Sequence, residues 1–189
     1  MLRGLPPRRK SWARAVALVC CVAGLAPAAA AAAGTGGAGI PPAPPPPVTT
    51  TPAPVAQLSR DGRTAIAPAS APPAVIEAIA AANQISGKPY RYGGGHRSFR
   101  DRAYDCSGSV SYVLHAGGFL ASPLDSGALM RWGVRGPGSW ITVYTSPRHA
   151  YAIVAGLRFD TSGPGPSGPR WRTPPRPSTG FVARHPFGL

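Results

Sequence analysis

The sequence predicts an α+β fold, on three observations. Two segments with helical spacing come first, strand-patterned segments follow them, and the remainder is rich in turn residues. The 189 residues include 24 Gly and 25 Pro. That much Gly and Pro without a collagen-like period leaves material for one modest core.

The first helix is expected in "PAVIEAIAAANQISGKP", where Val75, Ile76, Ile79, Ala80 and Ala82 fall near one face. Pro73 suits its first turn, and Gly87 followed by Pro89 ends it. A glycine-rich loop, "YRYGGGHRSFRDRAYD", comes next. The second helix is expected from Cys106 to Ala116, with Val110, Val113 and Leu114 at helical spacing and Gly117-Gly118 as its stop. "SWITVYT" then reads as a strand, and "HAYAIVAGLRFDT" as two strands joined at or near Gly156-Leu157. Residues 163–179 read as a Pro- and Gly-rich loop, and "GFVARHPFGL" as a last strand.

Upstream of the domain, residues 1–33 read as a signal peptide. Arg3, Arg8, Arg9, Lys10 and Arg14 form a basic n-region, "AVALVCCVAGLA" a short apolar h-region, and "APAAAAAAG" a small-residue cleavage region. An uncleaved anchor is the alternative. Residues 34–73 read as a Pro/Ala/Gly-rich disordered linker, "GIPPAPPPPVTTTPAPV" favouring extended polyproline II, with a short ordered turn in "QLSRDGRTAI". Residues 74–189 are the expected folded domain.

Taking away the five basic residues of the n-region lowers the formal charge from +14 to +9. A basic exported chain is drawn to anionic surfaces. Nucleic acid is not the expected partner, because there is no basic helix and no aromatic-interleaved basic stripe. An anionic cell-wall polymer fits better, with the protein secreted or wall-associated, a monomer, and without stable membrane insertion once the signal is cut.

Cys106 is the only cysteine after residue 21. An odd thiol in an oxidising compartment is an intermolecular link, a reactive group, or a small buried hydrophobe. Its position at a helix N-terminus favours a thiolate, and the same N–H groups can hold an oxyanion. Asp105 caps that helix or faces a substrate amine, although its charge opposes a neighbouring thiolate.

A nucleophilic thiol needs a base, and four histidines compete. His115 lies ~13 Å along the same helix, out of reach. His96 sits in a loop without rigid support, and His185 lies near the C-terminus. His149 opens an apolar strand, a rigid platform, and is the expected base. If residue 155 pairs with 158, then 153 pairs with 160, and Asp160 shares the face of His149. Asp160 is therefore the expected orienting group, and a one-residue slip would substitute Thr161 or Ser162.

"GKPYRYGGG", "DCSGSVSYVL" and "HAYAIVAG" together resemble the landmarks of NlpC-type cell-wall peptidases, papain-like cysteine hydrolases of peptidoglycan, in a divergent actinobacterial-type branch. The resemblance covers about Val75 to Asp160. It implies a papain-like domain with N-terminal helices on a small antiparallel sheet. It implies Cys106 as nucleophile, His149 as base and Asp160 or a neighbour as orienting residue. It also implies that Tyr90, Asp105 and Ser107 bind substrate, and that the bond cut joins D-glutamate, through its γ-carboxyl, to a diamino acid. Two wordings depart from that family. The strand after His149 reads Ala-Tyr-Ala-Ile, and "GPGSW" replaces the usual Gly-Asp-Leu.

The expected chemistry is amide hydrolysis through a thioester, with no cofactor, since one Cys and scattered His match no zinc spacing. The rival functions are a catalytically silent wall-binding protein on the same fold, and a Cys/His amidase or acyltransferase. Trp132, Trp140 and Trp171 are candidates for a groove. Trp140 is also a candidate for the core, and Trp171 for a disordered surface loop.

Overall fold

The computed structural model describes residues 54–173 and 175–189. The expected signal peptide and the first part of the expected linker lie outside these residues. Among the described residues, no helix is long and apolar enough to cross a membrane.

The chain first forms a small hairpin, β1 (Gln57–Leu58) with β2 (Ala65–Ile66). It lies where the sequence suggested a turn within a linker. Ala56, Ala65 and Ala71 are buried in the core, so the packed chain begins upstream of Pro73. The sequence understates this because alanines scattered among Pro and polar residues carry no periodic signal. Asn83 holds the hairpin: its side-chain oxygen accepts from Ala65 N–H at 2.8 Å, and its amide donates to the Ala65 carbonyl at 2.9 Å.

Helix α1 spans Pro73–Ile85, with proline in its first turn. Its buried stripe is Val75, Ala78, Ile79, Ala81, Ala82 and Ile85. Ile76 and Ala80, expected on that face, are exposed. The stripe follows Val75 by three, four, six, seven and ten residues, and Ile76 falls to one side of it. Helix α2 spans Cys106–Ala116, as expected, with Gly117 as its C-cap. A single turn, α3 (Ser126–Leu129), follows and is capped by Asp125.

The strands are β3 (Val134–Arg135), β4 (Ile141–Ser146), β5 (His149–Val154), β6 (Leu157–Asp160), β7 (Arg170–Arg172) and β8 (Val182–His185). They form one antiparallel sheet in the order β3-β8-β4-β5-β6-β7. Helices then sheet make the fold α+β. Val143, Ala152, Phe159 and Trp171 lie in one row across β4 to β7 and join Val110, Val113 and Leu114 of α2 in the core. This burial is what joins the helices to the sheet.

Two details differ from the sequence reading. The β5–β6 turn is Ala155-Gly156, with φ of 43° and 77°, one residue before the Gly156-Leu157 pair near which it was expected. A two-residue hairpin loop of this twist needs positive φ at both positions, which glycine meets without strain and alanine does not. The second is β7, which lies inside the segment read as loop. Trp171 is buried there, packed edge-on to Phe159 at 5.0 Å and donating to Asn83 at 2.8 Å. It belongs to the core and not to a groove or a surface loop. Trp132 and Trp140 are half-buried against the same core.

Candidate functional site

Cys106 is the first residue of α2 and is buried. Asp105 is the N-cap, its Oδ1 accepting from Gly108 N–H at 2.7 Å. Its Oδ2 accepts from Gly93 N–H at 2.9 Å, which ties the glycine-rich loop to the helix end. The approach is close. A Cβ at Gly108 would stand 2.0 Å from the Gly94 carbonyl oxygen, so only glycine fits there. His96 Nε2 lies 2.9 Å from Asp105 Oδ1 and 3.2 Å from Ser107 Oγ. The loop therefore does support His96, but against Asp105 and Ser107 rather than against the thiol. A single sequence gives no signal for that contact beyond the loop's glycines.

His149 opens β5, with its ring coupled to the Cys106 thiol on one side and Asp160 Oδ1, at 2.9 Å from Nε2, on the other. With Nε2 occupied, Nδ1 is the ring nitrogen left for the thiol. The register of β5 and β6 pairs Val154 with Leu157 and Ala152 with Phe159. One further step sets Asp160 opposite Tyr151, where the sequence reading set it opposite residue 153. The two-residue difference preserves parity, so Asp160 still shares the face of His149. Thr161 is buried nearby. Ser162 comes closer, its Oγ 3.3 Å from His149 Nε2 and 3.0 Å from Asp160 Oδ1.

The other histidines are engaged elsewhere. His115 Nδ1 donates to the Leu120 carbonyl at 2.8 Å and its ring stacks on Phe99 at 3.8 Å. His185 Nδ1 meets the Pro186 and Leu189 carbonyls.

The electrostatics of the three groups follow from these contacts. Burial opposes ionisation of Cys106. Hydrogen bonds from His149 and Ala150 N–H and the charge of His149 prevail, against the charge of Asp105, and hold the thiol below its ordinary value. Burial likewise disfavours a charged His149, but hydrogen bonds to Asp160 and Cys106 and the charge of both raise it to about 9. Asp160 is pushed up by burial and pulled further down by His149 and by Ser162. The two shifts run in the directions that favour a thiolate–imidazolium pair, and the two groups titrate together.

Cys106 opens onto a cavity of about 460 Å³. Tyr90, His96, Asp105, Ser107, Asp125 and Arg148 contribute to its wall. Tyr90, held by a bridge to Tyr104, also borders a second cavity of about 330 Å³ beside His149, Thr161, Ser162 and Ser167. The structure thus brings Tyr90, Asp105, Cys106, Ser107, His149 and Asp160 to one place. It adds Asp125, Arg148 and Arg176, which the sequence reading passed over, and keeps Ser162, which that reading held as an alternative to Asp160, beside His149 and Asp160. Among the described residues no cluster of three or more His, Cys, Asp or Glu could hold a metal ion.

No family model matches the chain, and no curated protein matches it. Solved structures do. The peptidoglycan hydrolase RipB from Mycobacterium tuberculosis is 24% identical, over 59% of this chain and 64% of its own, with a TM-score of 0.47. A NlpC/P60 family protein from Bacillus cereus is 19% identical, over 60% of this chain and 40% of its own, at 0.46. The P60 domain of an antigen from M. avium subspecies paratuberculosis is 21% identical, over 59% of this chain and 93% of its own, at 0.45. The chain spans less than two thirds of the first two. It is similar in structure to NlpC/P60 proteins, the group whose motifs its sequence resembles.

Proposed function

We propose that the protein is an exported cysteine hydrolase that cuts an amide bond in peptidoglycan stem peptides. One observation carries the reading. Cys106, His149 and Asp160 stand in line at a helix N-terminus, His149 coupled to the thiol and bonded to Asp160 at 2.9 Å, and Cys106 opens onto a cavity. Binding alone needs no such line.

In the proposed reaction the Cys106 thiolate attacks the scissile carbonyl. Gly108 N–H is taken by Asp105, so the N–H groups of Cys106 and Ser107, which helix geometry leaves outside the intrahelical ladder, hold the oxyanion. The C–N bond then breaks, and His149 gives its proton to the departing amine, leaving a thioester. Water, deprotonated by His149, attacks the thioester and releases the acid, and the proton passes back to the Cys106–His149 pair.

The substrate class rests on the motif resemblance and on the lining of the cavity. Asp105 and Asp125 bring negative charge, and Arg148 brings positive charge. A short peptide with a free amine and free carboxylates complements both signs. Tyr90 and Ser107 border the reacting atoms, and the favoured bond joins γ-D-glutamate to a diamino acid. The excess of basic residues would draw the protein to anionic wall polymer.

The test is digestion of defined peptidoglycan fragments by the full chain, with mass spectrometry of the products and Cys106→Ala as the blank. A new terminus between D-glutamate and the diamino acid, absent with the variant, is expected. Cysteine-dependent release of peptide from sugar would make it an amidase, and transfer to an added amine an acyltransferase. Wall binding without cleavage would make it a silent binder.

The pH dependence has a worked sign. Cys106 is active as thiolate, so activity falls on the acid side as pH drops through its lowered pKa. His149 must carry a proton for the leaving amine, so activity falls on the basic side near pH 9. A kcat/KM profile from about pH 4 to about pH 11 should be bell-shaped, with its basic limb near pH 9. A basic limb near the ordinary histidine value would contradict the ion pair.

A further inference from the structure

We propose that Arg176 is a positioning residue for the Cys106–His149 pair, pinning Asp160 by its Oδ2 so that Oδ1 faces His149. The proposal deepens the cysteine-hydrolase reading and rests on it.

Arg176 lies in the Pro-rich stretch between β7 and β8, which the sequence left as loop. Its Nη1 donates to Asp160 Oδ2 at 3.1 Å and also to Ser162 Oγ. The guanidinium sits 5.4 Å from the ring centres of both Tyr151 and Phe181. Those two rings stand edge to face at 5.2 Å, and Phe181 also stands edge-on to His149 at 6.3 Å. The side chain is thus held by two aromatic faces and two oxygens, which is the fork and plane that arginine offers and lysine does not.

Asp160 is wholly buried and has two competing claims on Oδ2. Arg158 Nε lies 3.8 Å from the same oxygen and makes no hydrogen bond. Without Arg176 the carboxylate would turn toward Arg158, and Oδ1 would leave the 2.9 Å contact with His149. Arg176 and Ser162 together hold it against that turn.

Other groups also bear on His149 and Asp160. Cys106 comes from α2, with Asp105 before it, and Tyr90 of the glycine-rich loop borders the same cavity as His149. Tyr151 comes from β5, with Tyr144 of β4 against it, Arg158 from β6, and Arg172 from β7, with Arg170 beside it. The arginines in this set disfavour a protonated His149 by charge alone. Removing Arg176 as a mere charge would therefore raise the histidine's affinity for its proton. Removing it as a clamp would lower that affinity, because His149 loses its anchored partner. The two roles have opposite signs.

The experiment is alkylation of Cys106 by iodoacetamide across pH, followed at the Cys106 peptide by mass spectrometry. The wild-type profile should have a lower step as the thiolate forms and an upper step as His149 gives up its proton near pH 9. In Arg176→Gln the upper step should fall by about one pH unit. Hydrolysis should fall about 10- to 100-fold, in the range of lost supporting contacts. Arg176→Lys, which keeps the charge and one donor, should recover part of both. An upper step unmoved or raised in Arg176→Gln overturns the proposal. If that variant does not fold, Phe181→Leu, which removes one face of the clamp, should move the same step in the same direction, and no movement overturns it. The alkylation profile needs no substrate. A shifted step in a protein that leaves peptidoglycan uncut would keep the clamp and discard the proposed substrate.

Discussion

Replacing His149 by glutamine should lower hydrolysis about ten-thousand-fold, with the protein still folded. The variant removes the proton donor for the leaving amine and the base for the thioester step in one change. It also removes the group that makes Cys106 reactive. Burial and the charge of Asp105 both oppose the thiolate, and the His149 hydrogen bond, the Ala150 N–H and the charge of His149 together outweigh them. Without His149 the Ala150 N–H remains, which is one neutral donor against a buried charge. The thiol should then titrate above its ordinary value, and alkylation at neutral pH should slow by at least about tenfold. Unchanged alkylation would mean that the helix end alone activates the thiol, and would sink the pair as the source of reactivity.

Trp171→Ala should cost about 3–5 kcal/mol of stability, the largest loss expected from a single side chain here. The ring fills the core between β7 and α1, packs on Phe159, and donates to Asn83. Asn83 in turn holds Ala65 of the hairpin, so the tryptophan stands where three parts of the chain meet. Trp171→Phe keeps much of the apolar area and loses the hydrogen bond, at about 1 kcal/mol. Urea unfolding of the two variants should separate packing from hydrogen bonding. A cost under about 1 kcal/mol for the alanine variant would place the ring at the edge of the core.

The Trp171 result also explains why that element was hard to see. "RWR" is three residues long and lies between prolines and glycines, too short for a period of two to be detected. Its arginines suggested solvent, yet Arg172 is buried on the face opposite the tryptophan. β7 forms because β6 offers a free edge, and the partner is set by the 161–168 loop folding back, a long-range event that local pattern does not record.

The second helix was legible to the residue, since Asp105 supplies a cap and Gly117-Gly118 a stop, and both act within one turn. The pairing of Asp160 with the face of His149 was legible for a different reason. Side chains alternate along a strand, so a register misjudged by two residues leaves the face unchanged. Arg176, by contrast, reaches Asp160 across sixteen residues from a segment without periodic pattern. His96 reaches Asp105 from a glycine loop that has no preferred shape until Gly94 packs on Gly108. By itself, then, the sequence determined the helix that presents Cys106, the strand that presents His149 and the face that carries Asp160, because caps and alternation act over a few residues. The tertiary structure alone decided which groups surround and hold that line, because their contacts exist only once distant segments are brought together by burial of the common core.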